Sequence, residues 1–329
     1  MSRAEKKRYL ITGGAGFVGS HLSARLLESG HEVSIIDDLS TGSWGNIASL
    51  SGKRGFHAVI ADMNNSALLE AEVQKADFVF HLASAVGVRL VVEKPVETIR
   101  RIVRPTELLV DACSRYRKPI LFTSTSEVYG ISDRIPFREE DPVVIGATIK
   151  PRWCYASAKM LDEFYLLAHS KETALPVYIV RLFNTVGKRQ TGKYGMVLPR
   201  FAEAALAGEP LIVHGDGEQK RCFCSVLDVV EGLVRLSATP SAAGRVVNLG
   251  SDTEITILEL AKRVIQIAES KSEIRFKTYQ EVFGADFEDM RRRVPSLERA
   301  RELFGWRPVY TIDDIIRQVL EDKKEMKVQ

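Results

Sequence analysis

Long apolar runs are missing from this chain of 329 residues. No segment approaches the roughly 18 consecutive apolar residues that cross a bilayer, so no membrane partner is expected. Cysteine is scarce as well. Cys113, Cys154, Cys222 and Cys224 are too few and too scattered for a disulfide framework. Cys222 and Cys224 would share one face of a strand, but no second Cys/His pair stands nearby and the histidines are dispersed, so no metal is expected. Charge of one sign is also lacking. A net charge of +3 on 46 Lys+Arg and 43 Asp+Glu gives no ground for a nucleic-acid partner. The segment Met1–Arg8 is charged and has no signal-peptide h-region, so a reducing cytoplasm is the expected setting. Internal repeats and low-complexity tracts are absent too.

What is present suits a soluble globular enzyme: 45% hydrophobic and 27% charged residues, in a chain long enough for one large or two modest domains. The first chemistry-bearing stretch is Tyr9 to Leu22. Tyr9–Thr12 reads as a short buried strand. Phe17–Glu28 reads as a helix whose Phe17, Val18, Leu22, Leu26 and Leu27 share an apolar face. Between them Gly13, Gly16 and Gly19 recur every third residue. Such glycines allow a sharp turn, a diphosphate against bare main chain, and a helix lying close to a strand. The unpaired first-turn N–H groups of the helix point at the anion. A second apolar strand, Glu32–Ile36, ends at Asp37-Asp38, where an acid meets a ribose diol. Asp37 favours NAD over NADP, because a carboxylate pairs with a free 2′-hydroxyl and repels a phosphate there.

Further strands are expected at Gly55–Ala61 (closed by Asp62), Asp77–Ala83, Ile120–Thr123, Val177–Leu182 and Val246–Leu249. Small residues from Ala83 onward would let a cofactor reach the sheet edge. Helices are expected at Ser66–Lys75, Val96–Tyr116, Trp153–Ser170, Val197–Ala207, Leu227–Ser237, Ile257–Ala268 and Ser296–Phe304. Pro105 predicts a kink or break in the long helix, since an interior proline costs about 3 kcal/mol. Thr311-Ile-Asp-Asp is an N-cap signature for a last helix. Strands alternating with helices imply an α/β fold, a Rossmann-type doubly wound parallel sheet with a smaller mixed α/β C-terminal part. The expected division is 1–185 for the NAD-binding domain, with segments near 225–250 returning to it, and 186–224 plus 251–329 for a substrate domain.

Tyr155 and Lys159 stand four apart on one helix face. An ammonium beside a phenol stabilises phenolate, which brings a pKa of about 10 toward neutrality and makes a general base.

Together with the glycine loop, the motifs Thr125-Ser126-Glu127-Val128-Tyr129-Gly130, Tyr155-x-x-x-Lys159 and Arg181-Leu-Phe-Asn184-Thr-Val-Gly187 resemble the extended short-chain dehydrogenase/reductases that act on nucleotide sugars. The resemblance runs from Tyr9 to about Leu320. It implies a bound NAD held by Gly13, Gly16, Phe17, Val18, Asp37, Asp62, Ala83, Tyr155 and Lys159. It also implies Tyr155 as the base at a sugar hydroxyl, usually at C4, and Thr125 as the hydroxyl that bonds the reacting oxygen.

Within that family, Thr-Ser-Glu-Val-Tyr-Gly, Lys150-Pro-Arg-Trp153, Gln219-Lys-Arg-Cys-Phe223 and Asp289–Ser296 are most similar to the UDP-glucuronate decarboxylases, including UDP-xylose synthases. That similarity implies Ser126 and Glu127 beside the sugar carboxylate and Asn184, Arg221 and Arg293 as substrate-binding residues. Arg221 is implied either as a catalyst or as a diphosphate ligand. A UDP-sugar partner and a homodimer built on the two long helices follow from the same likeness. Glu127 also suits a 4,6-dehydratase, and a 4-epimerase or a non-catalytic sensor are the other readings. Departures from the family pattern fall at Ile102, Pro105 and Gly187-Lys188-Arg189, around the cofactor helix and the sugar pocket.

Overall fold

The computed structural model describes residues 5–84, 88–192, 196–283 and 292–328. Its first half alternates strand and helix: β1 (Arg8–Thr12), the helix Phe17–Glu28, β2 (Glu32–Asp37), β3 (Phe56–Ile60), the helix Ser66–Lys75, β4 (Phe78–His81), the helix Pro95–Tyr116, β5 (Ile120–Thr125), the helix Trp153–Thr173 and β6 (Val177–Leu182). A later strand, Arg245–Leu249, lies beside β6. The seven strands form one parallel sheet in the order Arg245–Leu249, β6, β5, β4, β1, β2, β3. This is the expected Rossmann-type doubly wound sheet. Chain order reverses between β1 and β4, and such a reversal opens a crevice at the strands' carboxyl ends.

The strands are continuous apolar runs because both faces of the sheet are covered. One face packs Ile11, Val33, Ile35, Phe80 and Leu121 against the helices Phe17–Glu28 and Val226–Ser237. The other packs Leu10, Ile36, Val79, Phe122 and Ile179 against the helices Ser66–Lys75 and Pro95–Tyr116. A separate buried cluster joins the helices Val197–Ala207, Ile257–Ile267 and Ile312–Val328 through Leu198, Phe201, Leu260, Val264, Ile316 and Val319.

Of the kink or break expected at Pro105, the break does not occur. The long helix runs unbroken over Pro95–Tyr116 with Pro105 buried inside it. Pro105 has no N–H to donate one turn back. The surrounding face outweighs that single lost bond, because Ile102, Leu109, Val110, Ala112 and Cys113 are all buried. The last helix is capped as expected: Thr311 Oγ1 accepts from the Asp314 N–H at 3.3 Å, and Asp314 Oδ2 accepts back from the Thr311 N–H at 3.0 Å.

Below the carboxyl end of β6, Arg181 makes a forked pair with Glu163, with Nε at 3.0 Å and Nη2 at 2.7 Å from the carboxylate oxygens. The guanidinium also lies 4.7 Å from the Tyr129 ring centre. Both charges are buried, so removing one strands the other. Glu163→Leu is expected to cost about 3–5 kcal/mol of stability, read as a lower urea midpoint at an unchanged slope.

Candidate active site

A cleft of about 1480 Å³ opens at the carboxyl ends of the strands, between the sheet and the C-terminal cluster. Every residue named above for cofactor, catalysis or substrate lines it. At one end β1 turns at Gly13, whose φ of +72° belongs to the left-handed region. A Cβ there would sit 2.7 Å from the Ala83 nitrogen, so strand ends β1 and β4 meet only through bare backbone. At Gly19 a Cβ would overlap the Gly13 carbonyl, and its absence seats the helix on the turn. Gly16 is the N-cap residue, and Phe17 and Val18 begin the helix at the cleft wall. This cradle suits an anionic diphosphate.

Asp37 is buried at the end of β2. Its carboxylate accepts the Ala15 N–H at 2.9 Å and the Leu39 N–H at 2.8 Å. Burial pushes its pKa up, while those two N–H donors pull it down. Asp62, after β3, is shaped by bonds from the Asn64 N–H and side-chain amide, both at 2.8 Å.

β5 delivers Thr125, Ser126 and Glu127. Thr125 Oγ1 accepts the Glu127 N–H at 3.2 Å and caps the short 3-10 turn Ser126–Tyr129. That cap aims Glu127 along the cleft, where its carboxylate lies 3.4 Å from Arg293 Nη1. Arg293 is itself buried, and its Nε has no hydrogen-bond partner among the described residues. Arg221 is buried on the strand Lys220–Cys222, bonded through Nη1 to its neighbour's carbonyl, Lys220 O, at 2.8 Å. The structure thus sets Arg293, rather than Arg221, against Glu127. Asn184 follows β6 and donates to Cys222 O at 3.3 Å. Of the Asp289–Ser296 stretch, residues 289–291 lie outside the described residues.

Tyr155 and Lys159 share the inner face of the Trp153–Thr173 helix. Lys159 is 2% exposed, donates to Thr123 O at 3.0 Å and lies 4.3 Å from the Phe122 ring centre. Burial lowers its pKa to about 8, against the pull of Asp162 and Glu163. The tyrosine does not show the lowered pKa that its spacing from Lys159 led us to expect. Burial raises it well above the ordinary value, and the negative Glu127 raises it further, while a hydrogen bond with Thr125 opposes both. The lysine bonds the Thr123 carbonyl on the strand rather than the phenol.

Two features, one lining the cleft and one behind it, were not read from the sequence. Arg152 is buried at the mouth with its guanidinium 4.9 Å from the Trp153 ring centre. It stands inside the quoted Lys-Pro-Arg-Trp motif, so the signal was there. Asp162, three residues beyond Lys159, is a 1% exposed acid. Its position on the buried helix face was the available signal.

Comparison with known proteins agrees with this geometry. The sequence profile described as the NAD dependent epimerase/dehydratase family matches residues 9–250. The chain belongs to that family. A relative named UDP-N-acetyl-alpha-D-glucosaminuronate decarboxylase, from Bacillus cytotoxicus, is 37% identical over 98% of this chain and 99% of its own length. The protein named UDP-glucuronic acid decarboxylase 1 of Danio rerio is 35% identical over 98% of this chain and 73% of its own. Among solved structures, a UDP-glucuronic acid 4-epimerase from Bacillus cereus, in complex with UDP-glucuronic acid and NAD, superposes with a TM-score of 0.86 at 26% identity. That match covers 97% of this chain and 99% of the other. NAD is therefore the cofactor of this family member, and the Gly13 cradle and Asp37 fit it. Asp37→Ala removes a charged acceptor of two backbone donors and is expected to weaken NAD+ binding about tenfold or more, measured by calorimetry.

Proposed function

We propose that this chain decarboxylates UDP-glucuronate, releasing CO2 and giving UDP-xylose or the UDP-4-keto-pentose. The observation that carries the reading is the contact between Glu127 and the buried Arg293, placed beside Tyr155. Interconversion at C4 alone needs neither an acid nor a cation next to the base. Removal of the C5 carboxyl group makes use of both. The full-length likeness to proteins named as decarboxylases supports the same reading.

NAD, when bound, supplies the reversible two-electron oxidation at C4. The chain's own residues do the rest. Tyr155 takes the C4 hydroxyl proton, with Lys159 as the nearby cation and Thr125 bonding the same oxygen. With C4 at the ketone level the carboxylate belongs to a β-keto acid. The C5–C6 bond then breaks, CO2 departs, and the electron pair moves into an enolate spread onto the C4 oxygen; a proton taken up at C5 gives the 4-keto pentose, and return of the hydride to C4 with the Tyr155 proton to its oxygen gives UDP-xylose. Ser126 and Glu127 flank the carboxylate. Arg293 offers guanidinium donors to the anionic substrate, and Arg221 and Asn184 hold its nucleotide side. In this reading 1–185, with returning segments near 225–250, holds NAD, and 186–224 with 251–329 holds the sugar nucleotide. The Bacillus cytotoxicus relative adds a second substrate, the 2-acetamido uronate, which differs only at C2.

The test incubates the protein and NAD+ with UDP-glucuronate or UDP-N-acetylglucosaminuronate and follows CO2 and sugar products by mass spectrometry. Loss of one CO2 from either substrate is the expected outcome, and Glu127→Gln should slow it about 10²–10⁴-fold. A product of unchanged mass would assign the chain to 4-epimerases, and loss of water from UDP-glucose to 4,6-dehydratases. Binding without turnover would leave a sensor.

The partner on the helical face is a second copy of this chain. The helices Pro95–Tyr116 and Trp153–Thr173 pack on each other and leave Val96, Ile99, Leu161 and Phe164 exposed. Light scattering should give twice the chain mass, and Leu161→Glu with Phe164→Glu should give monomers. A monomeric wild type would refute the dimer.

A further inference from the structure

Behind the cleft runs a line of buried polar groups that the proposed chemistry does not use. Thr12, His81, Thr106 and Asp162 are each at most 1% exposed. Thr12 Oγ1 accepts the Ala83 N–H at 3.3 Å and lies 2.7 Å from His81 Nδ1. His81 Nε2 lies 3.0 Å from Thr106 Oγ1, and the single Thr106 hydroxyl proton is shared between the Ile102 carbonyl at 2.7 Å and Asp162 Oδ2 at 2.9 Å. Burial, with the charge of Lys159, holds His81 neutral, at about 3. A neutral imidazole has one N–H. Its two nitrogens bridge the Thr12 and Thr106 hydroxyls. The line ends at Asp162, whose Oδ2 lies within hydrogen-bond distance of the Thr106 hydroxyl.

The charges around Asp162 come from three elements. On its own helix stand Lys159 and Glu163; on Pro95–Tyr116 stands Glu107; from β4 comes the neutral His81. Glu163 is spent on Arg181, so that pair contributes little net charge. Glu107 is solvent-facing and paired with Arg104. Among the described residues, Asp162 has no cation within ion-pair distance. Lys159, buried three residues earlier on the same helix and so one turn away, supplies the positive charge acting on it. Lys159 in turn is buried with one carbonyl as its bonded partner.

We propose that Asp162 is the counter-charge that keeps the buried Lys159 protonated, and that Thr12, His81 and Thr106 hold that carboxylate in place. Asp162 is then a positioning residue. It acts on the reaction through Lys159, and it ties the lysine's charge to the strand end from which the Gly13 turn departs. The pKa directions agree. Burial pushes Asp162 up to about 7, with Lys159 and the Thr106 hydroxyl pulling it down, and the Asp162 charge does more than that of Glu163 to hold Lys159 up. Removing the carboxylate lets the lysine pKa fall further. A function that needs the ammonium is then lost at lower pH as the solution is made alkaline.

The direct test is a double-mutant cycle on the whole chain, Asp162→Asn against Lys159→Met, by urea unfolding at pH 8 and pH 5. At pH 8 the two effects should be non-additive by about tenfold in the unfolding constant, the equivalent of one pKa unit. At pH 5, where Asp162 is protonated, the non-additivity should shrink. Additive effects at both pH values overturn the proposal. Should Asp162→Asn fail to fold, Thr106→Val runs the same cycle, since it removes the hydroxyl that favours the carboxylate. With UDP-glucuronate as substrate, the alkaline limb of kcat/KM should move down about one unit in Asp162→Asn and return in Asp162→Glu. A uniform drop with the limb unmoved would make Asp162 merely structural and overturn the proposal. The kinetic arm rests on the proposed function, whereas the cycle does not. Coupling in the cycle from a protein that releases no CO2 would sink the decarboxylase reading and leave this inference standing.

Discussion

A positive charge kept out of water governs this site. Lys159 is 2% exposed, so its ammonium loses nearly all hydration. Isolated burial of that kind costs several kcal/mol or drives the proton off. The chain meets that cost with geometry. Thr123 O takes one N–H, the Phe122 ring lies beneath, and Asp162 and Glu163 face it from one turn on. Each partner lies on β5 or the Trp153–Thr173 helix, the pair of elements that also carries Thr125, Ser126, Glu127 and Tyr155. Packing that helix on the sheet therefore sets the charge and places the reacting groups together.

Much of this was legible in the sequence because it is local. The glycines at 13, 16 and 19 need only a strand before them and a helix after, and Asp37 needs only to end the next strand. Periodicity located all seven strands of the sheet. The break that Pro105 allowed does not occur, because propensity describes a helix alone. The buried residues around it decide the outcome, and a one-dimensional pattern prices the lost bond without that burial. The line from Thr12 to Asp162 was invisible for another reason. Its members lie on four separate elements, and only the fold brings them within bonding distance.

The arginines show the same limit from the other side. Sequence likeness put both Arg221 and Arg293 at the substrate, which the cleft accommodates. Which one faces Glu127 depends on how the strand Lys220–Cys222 pairs with Glu254–Thr256 and how residues 292–295 return along Phe137. The Lys220–Cys222 strand turns Arg221 back onto its neighbour's carbonyl. Phe137 receives the other segment, its N–H donating to Val294 O at 2.8 Å, and so holds Arg293 at the acid.

The raised tyrosine pKa follows from that placement. Glu127 is useful near a departing carboxylate only if it sits close to the base, and from there its charge disfavours phenolate. A site built for C4 chemistry alone would avoid that conflict by leaving the position neutral. Here the acid stays, so positive charge must balance it on both sides: Arg293 at the carboxylate and the protonated Lys159 one helical turn beyond the tyrosine. Without the second cation the base would be weak at neutral pH. A lysine whose own pKa has been brought down to about 8 has little margin. That narrow margin is the physical reason for an otherwise costly buried carboxylate one turn away.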